Sequence, residues 1–325
     1  MQQEYRLITT EQQAHFLVRF WGVRGSYPTP GLHTIRHGGN TACVEVQVGK
    51  HILIFDAGSG IIGLGRDLLH RSSGNLTISL LLTHGHGDHL TGFPFFAPLF
   101  EGRSTLYLFG PSLAGRTVEQ LITPLMSSPY FPVDMRTLPS TRLFHTLTRG
   151  EAITWHHGED TPCIGRHNEY DRATTEIRVS THYTANHGPD GLMIYRVEYA
   201  GRSLVYCTDV EWKDHYPSAC VNFVRGADLL IHDAQYTYED YQASKHGFGH
   251  STSEMAVGMA RKAEVAKLIL FHHDPSYNDD KLDWIESQAR KQFASTRSAY
   301  EGMEIDLLAA RIQQPPRVQE EYRPV

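Results

Sequence analysis

Short apolar runs that close on a glycine, an aspartate or a histidine recur along the chain, and each reads as a strand buried in a sheet. Residues 16–23 predict a first strand, which leads into the turn-rich string Arg24-Gly25-Ser26-Tyr27-Pro28-Thr29-Pro30-Gly31. Residues 42–48 and 52–55 predict two more strands, the second ending at Asp56. Residues 76–82 fill with Leu and Ile, and further apolar runs fall at 175–181, 203–207, 228–231 and 268–271. Two stretches have helical spacing instead: 252–267, with a Ser/Thr start and Glu254 in its first turn, and 282–293. Strands and helices alternating without repeats give an α/β chain. The pattern predicts no element between 111 and 174, where Leu125 to Val133 carries aromatic and proline residues. Tyr130 and Phe131 read there as core or interface positions, with stacking on a base as the alternative.

Composition adds limits. A chain of 325 residues can bury one large α/β core, so a single catalytic domain over 16–312 is expected, with an amino-terminal extension at 1–15 and a proline-bearing tail at 313–325. Residues 1–13 are polar and lack the apolar stretch of a signal peptide, and no run approaches the ~20 apolar residues of a membrane span. Cys43, Cys163, Cys207 and Cys220 are scattered without C-x-x-C spacing, which fits free thiols in a reducing, cytoplasmic compartment. The net charge is −6 and the basic residues are dispersed, so a small anionic substrate is easier to accept than a long nucleic acid.

The run Thr83-His84-Gly85-His86-Gly87-Asp88-His89 then changes the picture, because it sets three imidazoles and a carboxylate directly after a buried strand. Gly85 and Gly87 let the backbone turn, so side chains that would point to opposite faces of a strand can converge. Imidazole and carboxylate donors without a thiolate suit zinc or a similar first-row ion, in a site open to water. A polar strand-end loop is the plainer reading, and it explains one histidine better than three. Gly58-Ser59-Gly60-Ile61-Ile62-Gly63 also satisfies G-x-G-x-x-G after a strand. The acidic residue expected about 20 positions on is missing, which disfavours a dinucleotide and leaves a tight strand-to-helix turn in which Asp56 is mostly structural.

The histidine string resembles the signature of the metallo-β-lactamase-fold hydrolases, which implies a four-layer αββα sandwich. By that resemblance His84, His86 and His187 would hold a first divalent ion and Asp88, His89 and His272 a second, with Asp209 bridging. Zinc is the expected metal and manganese the alternative. His273 competes with His272, and the register after Phe271 favours His272. His232-Asp233-Ala234-Gln235-Tyr236 and Gly249-His250-Ser251-Thr252 resemble paired motifs of the ribonuclease Z-like phosphodiesterase branch, with Asp233 where a Glu is more usual. There His250 would protonate the leaving oxygen, Asp233 would orient it, and Asp88 would help orient an attacking hydroxide that bridges the ions. The plainer reading of His250 is a cap on the next helix.

Within that branch the chain is similar to bacterial and phage cyclic-nucleotide phosphodiesterases, including the anti-Pycsar nuclease type. The similarity is carried by Trp21-Gly22-Val23-Arg24-Gly25-Ser26, Gly38-Gly39-Asn40-Thr41, Pro129-Tyr130-Phe131-Pro132-Val133 and His272-His273-Asp274-Pro275, and runs from Phe16 to Trp284. Asn186-His187-Gly188-Pro189-Asp190 and a long polar stretch at 155–174 depart from it. The expected activity is hydrolysis of a small, cyclic nucleotide by a homodimer. A ribonuclease Z-like endonuclease cutting RNA 3′ ends shares the site, a lactamase or thioester hydrolase is disfavoured by the His250 pair, and a nucleotide- or metal-binding module without turnover is the alternative of another class.

Overall fold

The computed structural model describes residues 15–309 except 168, 170, 172 and 214. The expected amino-terminal extension and tail fall almost wholly outside the described residues. Among the described residues fifteen strands form two sheets. The first contains β1 (Phe16–Gly22), β2 (Cys43–Val48), β3 (His51–Phe55), β4 (Leu76–Leu81), β5 (Ser104–Pro111) and β6 (Thr141–Leu147). The second contains β7 (Glu151–His156), β8 (Cys163–Arg166), β9 (Thr175–Thr184), β10 (Leu192–Tyr199), β11 (Arg202–Cys207), β12 (Leu229–Asp233), β13 (Leu268–Phe271) and β14 (Thr296–Ser298). The last strand, β15 (Glu304–Asp306), returns to the first sheet and pairs antiparallel with β1, so both ends of the described chain share one edge.

Each sheet has an antiparallel half and a parallel half. β1 to β3 form an antiparallel meander, and β3 to β6 run parallel. In the second sheet β7 to β11 are antiparallel and β11 to β14 parallel. The strand sequences follow suit. β1 alternates buried and half-buried positions, whereas β12 and β13 are buried throughout, as parallel strands covered on both faces must be.

One core lies between the sheets, where Phe16, Phe20, Phe55 and Phe109 meet Trp155, Tyr195, Tyr206 and Phe271. Helix α1 (Gly60–Arg71) covers the outer face of the first sheet, with Ile61, Leu64 and Leu68 against Ile54, Ile78 and Leu80. A short helix α2 (Val118–Ile122) adds Val118 and Ile122 to the same cluster. On the outer face of the second sheet lie α3 (Ser218–Val224), α5 (Ser253–Lys262) and α6 (Asp279–Gln292), which bury Val221, Val257 and Leu282 against Val205, Leu230 and Leu270. Helix α4 (Tyr238–Asp240) is a single turn before a π-turn over Tyr241–Lys245. The result is the expected four-layer αββα sandwich.

Several boundaries move. The first expected helix ends at Lys262, because Ala263 closes it and Glu264 takes a left-handed φ of 55°. The second begins three residues early, at Asp279, capped by the Asn278 side chain on the Lys281 N–H. Strand β9 continues to Thr184 because β10 offers partners as far as Leu192. The undecoded stretch after 111 supplies α2, β6, β7 and β8. Phe131 there meets Phe95 edge-on at 5.6 Å, while Tyr130 is 84% exposed. Cys43, Cys207 and Cys220 are buried free thiols, and Cys163 is exposed on the edge strand β8. Among the described residues no helix is long and apolar enough to cross a membrane.

Candidate metal centre

The candidate residues gather at the carboxyl ends of parallel strands, the usual place for a site in such sheets. His84 follows β4, Asp209 follows β11, Asp233 ends β12 and His272 follows β13. His187 arrives on the turn after β9. Asp209 and His272 both take left-handed φ, 54° and 61°, which bends the chain sharply after each strand. One donor atom from each of His84, His86, His187 and Asp209 falls within 4.8 Å of the others, and Asp88, His89, Asp209 and His272 form a second such group. Asp209 belongs to both.

The rings are aimed by their outer nitrogens. His89 Nδ1 donates to Asp56 Oδ2 at 2.8 Å, which turns Nε2 inward to 3.2 Å from Asp209 Oδ1. Asp56 also accepts from the Thr83 backbone N–H and hydroxyl and from Tyr206 Oη, so it joins β3, the histidine loop and β11. It therefore does more than shape a turn. His187 Nδ1 donates to the Gly249 carbonyl at 2.8 Å, and its Nε2 faces His86 Nδ1 at 3.0 Å. His272 Nδ1 lies 3.2 Å from Gln235 Oε1, with Nε2 3.1 Å from Asp88 Oδ2. His84 Nε2 is buried without any hydrogen-bond partner, 3.6 Å from Asp209 Oδ2. His273 turns away to the Ala299 carbonyl at 3.1 Å and stacks edge-on against His37.

Burial lowers the pKa of His84, His86 and His187, so these imidazoles are neutral, the form that binds metals. Burial would raise Asp88 and Asp209, yet the imidazoles around each carboxyl hold both well below the ordinary range. His89 goes the other way, since Asp209, Asp88 and Asp56 outweigh its burial and raise it. Three carboxylates thus surround a position that calls for positive charge. The orphaned His84 Nε2, the neutral imidazoles and the shared Asp209 make a donor set that fits two divalent ions.

Beside this centre, His250 Nδ1 donates to Asp233 Oδ2 at 2.9 Å. Asp233 is fixed by the Val210 and Gln235 backbone N–H groups at 3.1 and 3.0 Å. The His250 ring stacks on His272 at 5.0 Å and meets His187 edge-on at 5.1 Å. Burial opposes its charge, but Asp233 and then Asp209 raise its pKa above the ordinary histidine value. Helix α5 does not need it as a cap, because the Thr252 hydroxyl accepts from the Met255 N–H. Asp233, His250 and His272 also lie close enough to share an ion, although the Asp233 bond already engages His250 Nδ1.

Ser26 and Gln235 lie in strings already singled out, but their roles are set by the fold, and Glu211 had no distinct signal in the sequence. The Ser26 N–H donates to Asp88 Oδ2 at 2.7 Å from a left-handed φ of 64°, and its hydroxyl accepts from Gln235 Nε2. Gln235 therefore bridges His272 to the loop that holds Asp88. Glu211, two residues past Asp209, is buried and accepts from Tyr241 Oη, Gly247 N–H and Gly249 N–H at 2.7, 2.7 and 3.1 Å. Its partners are separated from it by some 30 residues or more, so neither motif spacing nor hydrophobic period could reveal the contact.

The comparisons agree with this architecture. A model of the beta-lactamase superfamily domain matches residues 51–273. Ribonuclease Z of Thermoplasma acidophilum is 26% identical over 318 residues, covering 90% of this chain and 96% of that protein. A new diphosphatase of the PhnP family superposes with a TM-score of 0.61 at 18% identity, covering 89% of this chain and 96% of the other. Human tRNase Z, short form, gives 0.56 at 19% identity, covering 89% and 98%. The family match and the doubled sheet together show that the chain belongs to the beta-lactamase superfamily, with the metallo-β-lactamase fold, and is a metal-dependent hydrolase.

Proposed function

We propose that this hydrolase opens the phosphodiester of a small nucleotide, a cyclic mononucleotide in particular. His84, His86, His187 and Asp209 would hold one ion, and Asp88, His89, Asp209 and His272 the other. Such a pair of ions, zinc or manganese, acidifies water and neutralises charge on phosphoryl oxygens. The observation that carries the reading is the His250–Asp233 pair, stacked at 5.0 Å on His272. With Nδ1 bound to Asp233, His250 keeps Nε2 for the substrate and gives its proton there to the leaving oxygen. Asp233 fixes the ring and stabilises its charge before the transfer. Asp88, whose Oδ2 accepts from the Ser26 N–H, would help orient the incoming water. The net charge of −6 and the absence of a basic block favour a small anion over a long strand.

A ribonuclease Z-like reading is supported by the relatives of that name along most of the chain. Hydrolysis assays on cyclic AMP, GMP, CMP and UMP and on a precursor tRNA, with zinc or manganese and a chelator control, separate the two. Chelator-sensitive opening of a cyclic nucleotide is the expected result. Cleavage of the tRNA alone would move the chain to RNA processing, and silence on every substrate would leave a binding module.

A further inference from the structure

Residues 241–249 form a loop that is tied down at both ends and exposed between. Glu211 clamps it through Tyr241 at one end and through Gly247 and Gly249 at the other, with donor distances of 2.7, 2.7 and 3.1 Å. Gly249 takes a φ of 91°, and a Cβ there would stand 2.5 Å from His187 Nδ1, so the loop ends hard against the metal centre. A row of side chains then runs outward from His250. The Tyr236 ring meets the His250 ring edge-on at 5.9 Å. Lys245 Nζ lies 5.5 Å from the centre of the Tyr236 ring and 5.6 Å from that of Phe248. Phe248 is 58% exposed, although it sits two residues from a buried histidine.

No ion pair engages Lys245 among the described residues. An ammonium held between two rings, with the Asp240 carboxylate near but not in salt-bridge contact, is a source of positive potential beside this row of side chains. An aromatic ring left in water beside that ammonium offers a flat apolar face, and every nucleobase can stack on such a face. We propose that loop 241–249 is the nucleotide-recognition element of this site, with the base stacked on Phe248 and Lys245 drawing the phosphate towards His250. The proposal rests on the nucleotide reading above and adds the residues that would bind the part of the substrate the reaction leaves unchanged. Glu211 is the positioning residue, because it fixes where the loop stands.

The test compares a substrate with a base to one without. Steady-state kinetics would be measured with the cyclic nucleotides and with bis(p-nitrophenyl) phosphate, for the metal-loaded wild type and for Phe248→Ala, Phe248→Tyr and Lys245→Gln. Phe248→Ala should raise KM for the nucleotide about tenfold with kcat little changed, and should lower kcat/KM for the nucleotide several-fold more than for the nitrophenyl ester. Phe248→Tyr should restore most of the loss. Lys245→Gln should weaken the fall of nucleotide kcat/KM with added salt. Equal effects of Phe248→Ala on both substrates, or none, would overturn the proposal while leaving the nucleotide reading in place. Wild type that cleaves the nitrophenyl ester and no nucleotide would overturn both. Metal content and thermal melting of each variant establish that it is folded.

Discussion

The division of labour between imidazoles is decided by single hydrogen bonds. His84 and His250 differ in what their nitrogens meet: the buried Nε2 of His84 has no protein partner, whereas His250 is bound to Asp233. His84→Ala should therefore lower bound metal together with turnover, and His250→Ala should keep metal while kcat falls about 10²–10⁴-fold. Metal analysis beside kinetics checks both, and loss of metal in His250→Ala would make that residue a ligand. Glu211→Gln gives a second contrast. An amide has one acceptor oxygen where the carboxylate uses two, so the N–H of Gly247 or of Gly249 would lose its partner, at a cost of roughly 1–3 kcal/mol if it is the buried Gly249. Because the Gly249 carbonyl also holds His187 and precedes His250, the variant should lose more kcat on an alkyl phosphodiester than on a nitrophenyl ester, whose leaving group needs no proton. Identical losses on both would mean a purely structural Glu211.

At the scale of the element, chemistry is delivered by what ends a strand or starts a helix. The carboxyl ends of β4, β11, β12 and β13 carry the site in the parallel parts of the two sheets, so residues more than a hundred positions apart come together there. Helix α5 begins at Ser253, three residues after His250, and its first turn is fixed by the Thr252 hydroxyl on the Met255 N–H at 3.2 Å. Thr252→Ala should cost about 1 kcal/mol, read as a lower denaturation midpoint with an unchanged slope. A stability equal to wild type would show that the Tyr236 and Thr252 backbone contact, not the cap, sets the helix start. The histidine loop was legible from local pattern, since it joins an apolar run to turn residues within one short string, while the strings at 232–236 and 249–252 were read from a resemblance. The helix ends were less legible because the Glu264 backbone conformation and the Asn278 cap depend on neighbours.

For the whole molecule, the centre is a seam between the two sheets. Asp56 comes from the first sheet and Tyr206 from the second, and their hydrogen bond of 3.0 Å crosses the core just beneath the metal loop. Ions bound to the folded chain and not to the unfolded one should stabilise it by about 2.7 kcal/mol at a free concentration of 100 times Kd. Thermal melting with and without chelator should accordingly show a lower Tm after metal removal, and the difference should shrink in His84→Ala. An identical Tm in both conditions would mean that the centre binds no ion tightly enough to support the fold. Asp88 and Asp209 add to this expectation, because once deprived of a cation they are two buried carboxylates within one cluster.

The amino-acid order determined the strands that end at the site, the helices after 252 and the histidine string, because hydrophobic period and turn chemistry act over a few residues, while the pairing of Asp233 with His250 was implied by the resemblance of their motifs. It did not determine how neighbours from distant strands would aim those groups. The inward turn of His89 by Asp56, the exclusion of His273 by Ala299, the bridge from Gln235 to Ser26 and the clamp of Glu211 on loop 241–249 each join residues distant in sequence. Such contacts follow from strand order and sheet stacking, which are set by burial of the whole core and leave no local trace in the residues that they bring together.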